Sequence, residues 1–339
     1  GVYRADDIYG GNIKGVLTRL PYLKSLGVGA IYFSPVFDSH SNHRYDTGDY
    51  MKIDPLFGSE EEFKMLISEC EKQGIGIILD GVFNHTGADS IYFNKFGRYP
   101  GIGAYQSKSS PYYPWYTFTK YPDEYACWWG VTVVPTVRRD CEEFQNYIAG
   151  PGGVIEKWTE LGVKGWRLDV ADELSTAFLE KIRAKVKSLG DVALIGEVWE
   201  DASTKVSYGE KRSYLFGRQL DGTMNYPFRT AILSLFKDRN AENFVDSVMT
   251  IAENYPHDAL YQSMSLLGTH DTVRIITALG GNHNMRTKAE RLHFRMPLAE
   301  YKIAARAVKT ASAIQYFLPG LPTIYYGDEI GMQGYEDPI

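Results

Sequence analysis

Four carboxylates stand where short apolar runs end: Asp80 closes GIGIILD, Asp169 closes GWRLD, Glu197 closes ALIGE and Asp271 closes SLLGTHD. A lone Asp after such a run is more often the cap of the next helix, a role worth about 1 kcal/mol. Glutamate caps poorly, and three of the four acids have His, Arg or Trp close by. The repetition therefore argues for chemistry. Carboxylates gathered at one mouth suit glycoside hydrolysis, in which a protonated acid serves the leaving oxygen and an ionised carboxylate faces the anomeric carbon. Competing chemistries lack their signatures. No H-E-x-x-H occurs, and His40 and His43 sit in a Ser- and Asn-rich loop, which disfavours zinc; no G-x-S-x-G elbow supports a serine hydrolase.

The acids need a frame that brings the run ends together. Seven β-rich runs, at 30–33, 75–79, 165–168, 193–195, 220–225, 264–267 and 323–326, alternate with segments of helical period at 12–26, 60–73, 177–188 and 301–317. This rhythm predicts parallel βα units, and in a barrel of such units the βα loops meet at the catalytic face. An open doubly wound sheet would want a glycine-rich phosphate turn. Neither G-x-G-x-x-G after a strand nor G-x-x-x-x-G-K-[ST] is present. The expected fold is an α/β (β/α)8 TIM barrel, one strand short. About 85 residues separate the run ending at Asp80 from the one entering at Gly165, so a subdomain is inserted there. Residues 92–129 hold fourteen of the 47 aromatics, punctuated by Pro100, Pro111, Pro114 and Pro122. Such a segment reads as an aromatic mini-core with some rings left to stack on sugar faces. The adjacent Trp128 and Trp129 are expected to supply one ring to each role.

Composition sets the outer bounds. The chain has 339 residues, 44% apolar and 23% charged, with 36 basic against 42 acidic residues, a net charge of −6. No block of basic residues exists to neutralise phosphates, so nucleic acid is not an expected partner. No run approaches the roughly 20 apolar residues of a membrane span, and GVYRADDIYGG has neither a basic start nor an apolar signal core. Neither a membrane nor a particular compartment is indicated, the cytoplasm being the default. Cys70, Cys127 and Cys141 form no C-x-x-C pair; packed free thiols are the favoured reading over a Cys127–Cys141 bridge.

At these residues the chain resembles glycoside hydrolase family 13, the α-amylase family. DGVFNH from Asp80 to His85 is similar to the family's first conserved region, GWRLDVADE from Gly165 to Glu173 to the second, GEVW from Gly196 to Trp199 to the third, and LLGTHD from Leu266 to Asp271 to the fourth. NHRYDTGDYMKIDPLFG and LPTIYYGDE resemble flanking segments of its neopullulanase, cyclomaltodextrinase and maltogenic amylase branch. The resemblance implies Asp169 as nucleophile, Glu197 as general acid and base, and Asp271 as the carboxylate that stabilises the transition state. Arg167, on the same face as Asp169 by strand alternation, would hold it ionised, while Glu197 would stay protonated in a dry setting beside Trp199 and the aspartates. His85 and His270 would bond sugar hydroxyls, Tyr45 would stack on that sugar, Asp80 would support, and Arg274, Glu173 and Trp199 would contact substrate. No cofactor is implied for the chemistry. The calcium of many family members would have Asn84 as its candidate ligand, but Ala171-Asp172 stands where many carry Lys-His, and Thr269 where Asn is usual.

The resemblance also orders the chain: residues 1–85 as barrel strands 2 and 3, 86–150 as the inserted domain B, and 151–339 as strands 4 to 8, the first strand preceding GGNIKG being absent. An excerpt of a longer enzyme with unpaired strand edges is the expectation. The implied activity is retaining cleavage of α-1,4 bonds in maltodextrins, starch, pullulan or cyclodextrins. Glucosyl transfer to another sugar, and a silent glucan-binding protein, remain alternatives; the implied partner is an α-glucan, with a homodimer a further option for the full-length protein.

Overall fold

The computed structural model describes residues 7–280, 285 and 287–336. They form two compact units, one of residues 7–197 with Arg218–Leu220, the other of Val198–Gly217 with residues 221–336.

In the first unit, α1 (Ile13–Ser25) starts at Asn12, whose side chain accepts the Gly15 N–H. Then come β1 (Ala30–Tyr32), the antiparallel pair β2 (Phe37–Ser39) and β3 (Thr47–Ile53), α2 (Glu60–Lys72) and β4 (Gly76–Gly81). A small hairpin of β5 (Phe118–Lys120) and β6 (Glu124–Tyr125) lies in the long insert. It is followed by α3 (Glu142–Ala149), α4 (Val154–Glu160), β7 (Gly165–Leu168), α5 (Thr176–Ser188) and β8 (Ala193–Gly196). The strands β1, β4, β7 and β8 are parallel and adjacent in chain order. Winding that never reverses lacks the switch point of a doubly wound sheet, which agrees with the barrel reading.

Alternation along β7 divides its buried residues between two faces. Trp166 turns to the helices, where its indole N–H donates to Thr159 at 3.0 Å and its ring meets Phe83. Arg167 points the other way. Gly165 shares the Arg167 face, and a Cβ there would stand 3.0 Å from Ile78 and 3.2 Å from Ala193, so a side chain would need the neighbouring strands to give by a few tenths of an ångström. On the outside, α2 buries Phe63, Leu66, Ile67 and Cys70, a single stripe at helical spacing. Phe63 meets Trp158 of α4 edge-on at 5.9 Å.

The aromatic insert is chiefly a core of its own. Phe93, fully buried, touches Tyr105, Tyr116, Phe118 and Tyr125, while Tyr92 packs on Trp115 at 5.0 Å. The two adjacent tryptophans differ in setting: half-buried Trp128 stacks on His85 at 5.4 Å, and Trp129, with φ 50°, is 83% exposed. All three cysteines are free.

The second unit holds the hairpin β9 (Val206–Ser207) and β10 (Glu210–Lys211), then β11 (Gly222–Thr223), α6 (Tyr226–Asp238), α7 (Ala241–Asn254), α8 (His257–Gln262) and β12 (Met264–Leu266). It continues through α9 (Ile275–Leu279), α10 (Lys288–His293) and α11 (Leu298–Phe317) to β13 (Leu321–Thr323), which runs parallel to β12. Its core gathers Ile232, Leu267, Ile275 and Ala311. Two strand expectations shift. The run at 220–225 is strand only at Gly222–Thr223, and the last strand lies before, not across, the tyrosines at 325 and 326. Those rings leave the strand and lie against a guanidinium, as described below. Residues 7–12 carry no strand; residues 1–6 and 337–339, at the expected outer boundaries, lie outside the described residues.

Helix α2 begins with reciprocal bonds, Ser59 Oγ accepting the Glu62 N–H at 3.1 Å and Glu62 accepting the Ser59 N–H at 3.0 Å. Ser59→Ala should lower unfolding stability by about 1 kcal/mol in urea titrations, with no change in the slope against denaturant.

Candidate active site

Strand register assembles the centre of the first unit. Asp80 pairs with Arg167, and Arg167 with Ile195; Asp169 and Glu197 each lie two residues further along, hence at one level and on one face. Backbone bonds carry the ladder past the strand ends, from Asp169 N–H to Gly81 and from Glu197 N–H to Leu168.

Arg167 is wholly buried. Its Nη1 donates to both oxygens of Asp80 at 2.8 and 2.9 Å and to Asp169 Oδ1 at 2.8 Å, and its Nη2 stands 3.0 Å from Glu197 Oε2. Two phenols close the far side of Asp80, Tyr32 at 2.6 Å and Tyr45 at 2.8 Å. Glu197 Oε2 also accepts the N–H of Val170 at 2.8 Å. That N–H is aimed by a left-handed turn, Val170 having φ 38° and ψ 56°, where a β-branched side chain is strained.

Burial works against one electrostatic expectation. Arg167 was expected to keep Asp169 easily ionised. Desolvation instead pushes the Asp169 carboxyl well above the usual range, against the pull of Arg167 and with Glu197 and Asp80 adding to the rise. The guanidinium itself, which burial alone would weaken as a base, is held firmly charged by Asp80, Glu197 and the phenols. Glu197 is nearly buried, as expected, but a cation shares its setting with the acids.

His85 is held on both sides. Its Nε2–H donates to the Tyr45 carbonyl at 3.0 Å, and its Nδ1 accepts from the Asn84 amide at 3.3 Å. Both ring nitrogens are thus engaged within the protein, which ties the ring to Tyr45. Asn84 is the residue the calcium reading needs. Its amide nitrogen serves His85, and among the described residues no group of three or more His, Cys, Asp or Glu converges to hold a metal ion. The donors therefore do not fit a carboxylate-rich calcium cage. Glu173 sits on the turn after Asp169, where its carbonyl accepts from Arg139 at 2.8 Å.

The remaining candidates belong to the second unit. Trp199, 44% exposed, lies flat on Tyr226 at 3.8 Å and 11°. His270 and Asp271 are 3.3 Å apart, and the Thr269 hydroxyl accepts the Asp271 N–H, doing locally what a side-chain amide oxygen could do. Arg274 is no open substrate contact: it is buried, pairs with Asp328 at 3.2 Å, donates to the Tyr326 carbonyl, and lies 4.1 and 4.5 Å from the rings of Tyr325 and Tyr326. Burial raises the Asp328 carboxyl to about 6 despite that partner. Sequence reading had missed Tyr32, Val170 and Asp328. Tyr32 alone left a trace, since alternation in its run puts it on the face of Ala30 at a strand's carboxyl end.

A parallel sheet wound in chain order, with acids at its carboxyl-terminal edge around one guanidinium, defines a protein of (β/α) class with a carboxylate-rich centre. Comparison gives the family. The description "Alpha amylase, catalytic domain" matches residues 3–338. The chain is 39% identical to an amylopullulanase of Thermoanaerobacterium saccharolyticum, over 98% of this chain and 27% of that protein, and 38% identical to neopullulanase 2 of Thermoactinomyces vulgaris, over 99% and 52%. It therefore spans about a quarter and a half of these relatives. Among solved structures, the cyclic α-maltosyl-(1→6)-maltose hydrolase of Arthrobacter globiformis in complex with maltose superposes with a TM-score of 0.83 at 28% identity, covering 98% of this chain and 69% of that one. The chain belongs to the α-amylase family, glycoside hydrolase family 13, in the region of its neopullulanase and cyclomaltodextrinase branch, and its fold is the (β/α)8 class.

Burial lowers the His85 pKa to about 4 from an ordinary 6.5. Its neutral form therefore contributes stability that is fully present above pH 6.5 and lost as pH falls through 4, on the order of 3 kcal/mol. His85→Gln, which cannot titrate, should lose less stability between pH 7 and pH 4.5 than wild type in urea unfolding; equal losses would show that the ring does not carry this dependence.

Proposed function

We propose that the protein is a retaining glycoside hydrolase acting on α-1,4-glucosidic bonds. The observation that carries the reading is one buried guanidinium, Arg167, ion-paired at once with Asp169 and Glu197, which close adjacent strands. Such a shared fork suits the short separation of about 5–5.5 Å between carboxyls that double displacement uses.

In the first step Asp169 attacks the anomeric carbon while Glu197 gives its proton to the departing glycosidic oxygen, leaving a glucosyl ester on Asp169. Water then attacks the same carbon as Glu197 takes its proton and the ester bond breaks. Two inversions retain the α configuration. Burial that disfavours a bare Asp169 carboxylate has its counterpart in the positive charge of an oxocarbenium-like transition state, which the dry acids stabilise. Asp271 is assigned to that charge, by resemblance. By resemblance, Tyr45 is assigned to stack on the sugar and Trp199 to contact substrate. No step needs a metal.

The relatives, which are named amylopullulanase, neopullulanase 2 and cyclomaltodextrinase, support a substrate class. An α-glucan of the maltodextrin, pullulan or cyclodextrin type is therefore the proposed substrate. Asp169→Asn and Glu197→Gln should each lower kcat by roughly a thousandfold or more on maltodextrin. Proton NMR of the first product should show the α-anomer. A β-anomer, or ordinary turnover by either variant, would overturn the mechanism.

A further inference from the structure

Near its end the insert carries a residue that fastens the turn beside the acids. Arg139, just before α3, reaches across 34 positions: its Nε donates to the Glu173 carbonyl at 2.8 Å and its Nη2 to the Leu174 carbonyl at 3.3 Å. Its own carbonyl accepts the Ser175 hydroxyl at 3.1 Å. One residue thus holds three successive ones. The clamp is itself held, since the Gln145 amide of α3 donates to the Arg139 carbonyl at 3.0 Å and the Arg138 N–H to the Trp115 carbonyl at 2.7 Å.

That turn has a strained residue to restrain. Ala171–Glu173 make a single helical turn, closed by the Glu173 N–H on the Val170 carbonyl at 2.8 Å and the Leu174 N–H on the Ala171 carbonyl at 3.2 Å. It begins at Val170, whose left-handed backbone aims its N–H at Glu197 Oε2. A β-branched residue keeps that conformation only where its surroundings over-determine it. Upstream, the strand ladder does so through the Asp169 N–H on the Gly81 carbonyl. Downstream, the bonds to Arg139 do so, together with Ser175, whose hydroxyl also accepts the Phe178 N–H at the start of α5.

We propose that Arg139 is a positioning residue for Glu197: by fixing the far end of the turn, it keeps the Val170 N–H on the carboxyl that serves the leaving oxygen. This rests on the retaining reading of the site. Without the clamp, Val170 relaxes toward an ordinary backbone, and Glu197 loses one of the contacts that fix it. Proton delivery then suffers, because the bond from the anomeric carbon to the leaving oxygen breaks as the Glu197 proton moves to that oxygen and Asp169 forms the new bond. A leaving group that departs as an anion escapes the loss. In α-maltosyl fluoride the carbon–fluorine bond breaks with fluoride taking the electron pair, while Asp169 forms the same ester.

Arg139→Ala should lower kcat/KM about tenfold on maltotriose but less than twofold on α-maltosyl fluoride. Equal losses on the two substrates would mean a merely structural role and would overturn the proposal. Arg139→Lys keeps the charge but has no planar fork to span two carbonyls, so it should show the same selective loss, smaller in size. Should Arg139→Ala fail to fold, the lysine variant decides by the same comparison. Hydrogen exchange reads the turn without turnover. Residues 169–175 should exchange about tenfold faster in Arg139→Ala, with β7 and β8 protected as in wild type; unchanged exchange there, or a loss spread over both strands, would sink the idea. A wild type inactive on both substrates would refute the hydrolase reading and the role in proton delivery with it, whereas equal losses in an active enzyme overturn the positioning alone.

Discussion

The first unit is organised around a charge that has no access to water. Arg167 sits with no exposed surface among Asp80, Asp169 and Glu197, each delivered by a different strand or strand end. Removing a cation of this size from water costs several kcal/mol, and only close, well-aimed anions offset it. The three parallel strands β4, β7 and β8 are thus held in register by electrostatics as well as by their ladders. A one-residue slip would exchange Arg167 for Trp166 on the acid face, placing an indole among carboxylates and a guanidinium among phenyl rings.

The acids themselves were legible in the sequence because each ends an apolar run, and strand ends in parallel sheets converge. Alternation also put Arg167 on the right face. What could not be read was the competition between burial and charge. Arg167 beside Asp169 looks like a device for easy ionisation, yet enclosure opposes it, and enclosure belongs to the folded strands rather than to any run of residues. Long-range partners were hidden for a similar reason. Tyr32 meets Asp80 across 48 positions and Arg274 meets Asp328 across 54, and neither pair leaves a local pattern.

The last strand shows how a local propensity yields to a distant demand. Thr-Ile-Tyr-Tyr has the composition of a strand. Tyr325 and Tyr326 instead turn to lie against the Arg274 guanidinium, and the strand is confined to Leu321–Thr323, where Pro322 can be tolerated beside β12. The aromatic insert runs the other way. Its ring density alone implied a private core, and Phe93 with its neighbours supplies one, since rings close together in sequence can reach each other whatever the rest of the fold does.

Val170 carries a further meaning. Its unfavourable backbone conformation is what turns its N–H onto Glu197. The orientation of that carboxyl is consequently set when the chain folds, not when a ligand arrives. The unfavourable energy is met once in the lifetime of each molecule, and every subsequent catalytic cycle begins with the acid already facing one way.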